Sequence, residues 1–107
     1  MNTQQVFSTL ANTTRLRCLY LVMCYEEVCV CEIVETLAIS QPSASKSLRA
    51  LKSAGFLTDR RDANWNYYRR AEHMPDWQAA LLELTLTQLS RDALYQTDAM
   101  RFVRMMG

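Results

Sequence analysis

The sequence predicts a mainly α-helical domain with one small β-hairpin, and three observations predict it. Only two Gly and two Pro occur in 107 residues, and half the residues are apolar, so the composition favours helices around one modest core. Apolar residues recur at helical spacing through most of the chain. Between about residues 56 and 71 that period gives way to two short stretches, Phe56 to Arg61 and Trp65 to Arg70, joined by Asp62-Ala63-Asn64.

The elements follow in order. Val6, Phe7 and Leu10 mark a first helix from Thr3 to Ala11. Asn12 or Thr13 caps a second helix to about Tyr25, polar and basic at Arg15 and Arg17, then apolar nearly all round, as a central core helix is. Glu26-Glu27 reads as a turn, and Val28 to Cys31 as a short β-like or irregular entry to a brief helix from Glu32 to Leu37. Ala38-Ile39-Ser40 leads into the next helix, with Ile39 placed to staple against Ala44. Ser40 is a good N-cap, Pro42 is harmless in the first turn, and Gly55 ends the helix. In the hairpin, Asn64 is the residue suited to the left-handed turn conformation. Met74-Pro75 opens a last long helix, from Pro75 to about Arg91 or on to Val103 (about 75–103 in full), with a stripe of Trp77, Leu81, Leu84 and Leu89 widened by Leu82 and Leu86.

Two helices joined by three residues form a helix-turn-helix over about 31–55, and the basic hairpin at about 56–71 is a wing. The whole chain, 1–107, is then one winged helix-turn-helix domain. Too little chain remains to cover the last helix. It is expected to pair with its copy in a homodimer, through Val6 and Leu10 of the first helix and Trp77, Leu81, Leu84 and Leu89 of the last. A two-fold dimer would present two recognition helices to a palindromic site in double-stranded DNA.

Charge supports that partner. The net charge of +1 hides an asymmetry: residues 18–35 hold four acids and no base, whereas residues 36–73 hold seven bases against three acids. The helix after Ser40 offers Gln41, Ser43, Ser45, Lys46 and Arg49 and no carboxylate, which suits a groove walled by phosphates. Arg60, Arg61 and Arg69, with Arg70, are candidate phosphate contacts on the wing. Trp65, Tyr67 and Tyr68 read as packing aromatics. No apolar run approaches the roughly 20 residues of a membrane span. The first residues lack the pattern of a signal peptide, so a cytoplasmic location with reduced thiols is expected. Reduced cysteines lean toward metal binding or redox sensing. Enzyme chemistry is disfavoured: there is no Cys-x-x-Cys, no βαβ pattern and only one histidine, His73, which reads as structural.

The segments Leu10 to Leu16, Val28 to Glu32, Ser40 to Ser45 with Leu48 and Leu51, Trp65 to Arg69 and His73 to Trp77 together resemble the ArsR/SmtB family of metalloregulatory repressors, in its arsenic-responsive branch. The resemblance implies a dimeric winged-helix repressor that leaves its operator when an inducer binds. No cofactor is expected for folding. Cys29 and Cys31 match the family's cysteine motif, and arsenite or antimonite, soft and trivalent, is the implied inducer, preferring three thiolates. The position of the branch's third cysteine is Val34 here, so Cys24, across the turn, is the candidate third ligand, while Cys18 reads as a core residue. The family's zinc site on the dimer helices needs several histidines and is not expected. A thiol-redox or sulfide-responsive repressor, or one responding to Cd or Pb, is the alternative within the same fold. Residues two apart do not share a face of a regular helix, so for one ion to meet both sulfurs the segment entering that helix must be extended or distorted.

Overall fold

The central helix is apolar on almost every side, and the chain wraps around it. The computed structural model describes residues 2–106. In order these form α1 (Thr3–Leu10), α2 (Thr13–Cys24), β1 (Glu27–Cys29), α3 (Val30–Leu37), α4 (Gln41–Ser53), β2 (Leu57–Asp62), β3 (Trp65–Arg70), α5 (Asp76–Leu89) and α6 (Ala93–Met106). Cys18, Leu19, Leu21 and Val22 of α2 are wholly buried, packed with Ile33, Ala44, Leu48, Leu51, Phe56 and Tyr68. Each fully buried leucine there contributes about 1.5–3 kcal/mol. Among the described residues no helix is long and apolar enough to cross a membrane.

Local chemistry sets the element ends. Asn12 Oδ1 accepts the Arg15 N–H at 3.0 Å and starts α2. The Arg15 guanidinium then donates to the Thr9 and Ser8 carbonyls, satisfying the end of α1 and fixing it on α2. Ser40 Oγ accepts the Ser43 N–H and caps α4. At the other end Phe56 N–H bonds Leu51 O and Gly55 N–H bonds Lys52 O, with Gly55 at φ 85°, a Schellman ending that only glycine makes without strain. The buried Gln78 of α5 donates to the Ala54 carbonyl at 2.8 Å, which anchors that same end of α4.

Three features differ from expectation. The wing is three-stranded, in the order β1-β3-β2, because Glu27, Val28 and Cys29 pair antiparallel with Arg69, Tyr68 and Tyr67. The β-like reading of Val28 to Cys31 is met at Val28 and Cys29, but a partner about 40 residues away leaves no local signal of the pairing. In the hairpin Ala63, not Asn64, takes the left-handed conformation, at φ 55°. The register Asp62↔Trp65 makes Ala63 and Asn64 the whole loop and puts the first of them at the reversal.

The third difference concerns the last helix, which is not continuous over 75–103. It stops at Leu89 and restarts at Ala93, because Asp92 Oδ1 accepts the Leu94 N–H as a fresh cap and Gln96 donates to the Ser90 carbonyl. After this break α6 folds back along α2. Arg17 and Asp98 form a two-pronged ion pair, 2.9 Å at each contact, with the carboxylate almost fully buried. The Arg17 guanidinium is held above its ordinary pKa chiefly by that hydrogen bond. Tyr25 stacks on Phe102 with ring centroids 4.3 Å apart and donates to the Ala99 carbonyl. Thr36 of α3 also reaches Met105 Sδ.

Removing one partner of a buried pair leaves an uncompensated charge. Arg17→Met is therefore expected to destabilise the fold by about 3–5 kcal/mol in urea denaturation, and Arg17→Met with Asp98→Leu to recover most of that loss. A single-variant loss below about 1 kcal/mol would show that α6 is not held by this pair.

Candidate thiol site and nucleic-acid interface

Cys29 is the last residue of β1 and the N-cap of α3, with extended dihedrals of φ −76° and ψ 146°. Its Sγ accepts the Cys31 N–H at 3.4 Å, and Glu32 Oε1 reaches back to accept the Cys29 N–H at 2.7 Å. This is the reciprocal arrangement of a capping box, with sulfur where serine or threonine oxygen usually stands. It resolves the spacing problem. The cap residue lies outside the helical spiral, so the two sulfurs converge to 2.6 Å as free thiols, Cys29 buried and Cys31 exposed. Desolvation, the hydrogen bond shared with Cys29 and the nearby Glu32 charge push the Cys31 thiol up to about 11, outweighing the helix N-terminus, which favours thiolate. A thiophile binding there at neutral pH releases the Cys31 proton.

Cys24 does not join them. Its thiol lies beside Tyr20, and among the described residues no group of three His, Cys, Asp or Glu side chains is placed to hold a metal ion. Cys18 is fully buried in the core, where desolvation pushes its thiol up to about 12. His73 is exposed in the segment before α5.

The sheet sets the surroundings of the pair. Cys29 lies opposite Tyr67, and Tyr67 opposite Arg60, so the three form a row on one face. Trp65, two residues from Tyr67, shares that face, while Tyr68 turns inward and is buried. A cavity of about 290 Å³ is lined by Cys29, Cys31, Glu32, Trp65 and Tyr67. A second groove, about 380 Å³, runs from Cys29 and Cys31 along α4 to the wing, past Gln41, Ser45, Arg49 and Arg61. The sulfurs and the reading helix thus border one space.

Four of the bases on α4 and the wing are engaged in exposed ion pairs. Lys52 bonds Asp59 at 2.7 Å, Arg69 bonds Glu72 at 3.2 Å and Arg70 bonds Glu83 at 2.6 Å. Arg60 holds Glu27 with both prongs, 2.9 and 2.7 Å, and lies 4.6 Å from the Tyr67 ring centroid. The Glu27 carboxyl is held below its usual range by that guanidinium. Lys46, Arg49 and Arg61 carry no ion pair among the described residues. Of the expected phosphate contacts, Arg60 bonds Glu27 across the sheet's outer face and Arg69 bonds Glu72, while both side chains stay about half exposed. Arg61 alternates to the α4 side. Gln41, Lys46 and Arg49 are exposed on α4, and Ser43 and Ser45 are half-buried. Asn64 lines the groove together with Arg61, a placement that its turn-forming character alone does not signal.

The residues expected at a dimer interface divide. Val6 and Leu89 are buried within the subunit, because each faces α2 or its neighbours, and so present no surface. Leu10 and Leu81 are half-buried. Trp77 and Leu84 are exposed, Leu84 by 72%, and the exposed Phe7 of α1 adds to them.

A compact helical core carrying a capped reading helix and a basic three-stranded wing defines a winged helix-turn-helix DNA-binding protein. A model described as "Bacterial regulatory protein, arsR family" matches residues 12–59. The arsenic resistance transcriptional regulator ArsR2 of Pseudomonas putida is 42% identical over 81 residues, covering 76% of this chain and 70% of that protein. Two solved structures superpose well. The homodimeric winged helix-turn-helix domain Mb0332 of Mycobacterium bovis has TM-score 0.67 and 31% identity, over 84% of this chain and 80% of that one. The antimony-specific transcriptional repressor AntR has TM-score 0.64 and 27% identity, over 80% and 75%. The chain belongs to the ArsR family of transcriptional regulators.

Two substitutions separate the wing arginines. Arg61→Ala is expected to lower the salt dependence of DNA binding by about one counterion and to weaken binding evenly across sequences. Arg60→Ala, whose guanidinium is engaged with Glu27, is expected to leave that slope unchanged. Fluorescence anisotropy over a salt series measures both, and equal slopes for the two variants would contradict the assignment.

Proposed function

We propose that the chain is a homodimeric repressor that leaves its DNA operator, a palindrome to be sought upstream of its own gene, when trivalent arsenic or antimony binds Cys29 and Cys31. The single observation that carries this reading is the convergence of two free sulfurs at the N-cap of α3, in the groove bordered by α4. The relatives' names support the inducer class, and their families' regulators act on DNA.

The geometry gives the sulfurs leverage. Cys29 Sγ is the acceptor for the first turn of α3. Three residues, Ala38 to Ser40, connect α3 to α4, and Ala38 holds a left-handed conformation at φ 54°. Engaging the cap sulfur on a soft ion withdraws an N-cap worth about 1 kcal/mol. Over two subunits that is about 2 kcal/mol, or roughly thirtyfold in operator affinity. Displacement of Gln41 and Arg49, on the same groove, adds to it. The exposed Phe7, Trp77 and Leu84 form the surface for the second copy, which would present two reading helices to a two-fold site.

The same two thiols favour a second reading. Adjacent free thiols with no third ligand at hand can pass two hydrogens to an oxidant, and a repressor responding to oxidation would need no metalloid.

Cys29→Ser and Cys31→Ser are expected to keep operator binding, since serine also caps helices, and to lose release by arsenite in a mobility shift under anaerobic reducing conditions. Full release of both variants by arsenite would place the sensing site elsewhere. Wild-type release only after oxidation would favour the second reading.

A further inference from the structure

We propose that the Cys29–Cys31 site takes a monosubstituted organic arsenous acid, R–As(OH)2, in preference to the inorganic acid. The inference rests on the thiol-pair reading above and deepens it. Three observations carry it. First, the site offers two sulfurs, and among the described residues no third metal-ligating side chain joins them. Glu32, the nearest carboxylate, already accepts the Cys29 N–H and closes the cap. Second, the cavity at the sulfurs is walled by two aromatic side chains, Trp65 and Tyr67, placed there by the pairing of Cys29 with Tyr67 and the two-residue period of β3. Third, Trp65 is 52% exposed, with ring surface that the fold itself does not cover.

The number of exchangeable groups fits. Each thiol gives its proton to one As–OH, which leaves as water. Two As–O bonds break, two As–S bonds form, arsenic stays trivalent and no oxidant is needed. An organic acid has two hydroxyls, so the two cysteines complete the exchange and the substituent R remains to lie on the rings. The inorganic acid keeps a third hydroxyl, which gains nothing from the aromatic wall that water does not already offer it. An aryl group instead gains apolar burial and ring stacking at Trp65 and Tyr67.

The test uses the full chain off DNA, reduced and anaerobic, with dithiothreitol as competitor. Dithiothreitol also has two thiols, so the exchange ratio removes the intrinsic thiol affinity of each arsenical. Phenylarsonous, methylarsonous and arsenous acids are compared by intact mass and by count of free thiols. The phenyl compound is expected to exceed arsenous acid by about tenfold in this ratio, with the methyl compound between them. Trp65→Ala should lower the phenyl ratio roughly threefold or more and leave the inorganic ratio unchanged, and Trp65→Phe should restore it. A ratio equal to or larger for arsenous acid, or a phenyl ratio unmoved by Trp65→Ala, overturns the proposal while the thiol-pair reading stands. Unchanged binding of all three acids by Cys29→Ser and Cys31→Ser overturns both.

Discussion

The hydrogen bond from the Cys31 amide to the Cys29 sulfur is the constraint on which the site depends. An N-cap must sit outside the helical spiral with its side chain turned back over the first turn. That requirement, applied to a cysteine, brings together two side chains that a regular helix would point apart. One residue thereby ends a strand, starts a helix and forms half of a thiol pair. Because β1 also pairs with β3, the same residue fixes the aromatic wall beside the sulfurs. Structure and chemistry at this point are one arrangement, and a ligand on the sulfur competes directly with the helix for its cap.

Electrostatics narrows the reading surface in a similar way. The stretch from 36 to 73 is rich in base, yet four of its seven cations are engaged by carboxylates of the same chain. These exposed pairs contribute little to stability, on the order of 0–1 kcal/mol each. Their larger effect is to hold Arg60 and Arg70 in place and leave Lys46, Arg49 and Arg61 as the free positive charge around α4. The ends of α4 are held by the Ser40 cap and by Gln78 on the Ala54 carbonyl, so the helix is positioned from both sides. Gln78 connects it to α5, the helix that carries the exposed Trp77 and Leu84.

Much of this was legible in the amino-acid sequence, for physical reasons. Ser40, Pro42 and Gly55 are local signals, and they place α4 within a residue because caps depend on short-range geometry. The apolar run in α2 marks a core helix wherever it occurs. What escaped depends on distant partners. The strand at Glu27–Cys29 exists only because β3 is beside it, and the pairing of Arg60 with Glu27 spans 33 positions. The break at Ser90 to Asp92 is readable in principle, since Asp92 is a good cap and the named apolar stripe ends at Leu89. The burial of Val6 and Leu89 within the subunit is not legible locally, because periodicity gives a face and not the neighbour that covers it. At the thiol site, the need for a distorted entry followed from the spacing of Cys29 and Cys31, whereas the capping role of Cys29 did not, because cysteine is seldom a cap.

On the function proposed above, a ligand on the sulfurs acts on α4 by withdrawing the cap of α3. The decisive measurement is amide hydrogen exchange of the full chain, followed across α3 and α4 with and without arsenous acid. Protection is expected to fall in the first turn of α3, at Cys31 to Ile33, and in the first turn of α4, in parallel with loss of operator binding. Operator release with protection unchanged in both turns would contradict it.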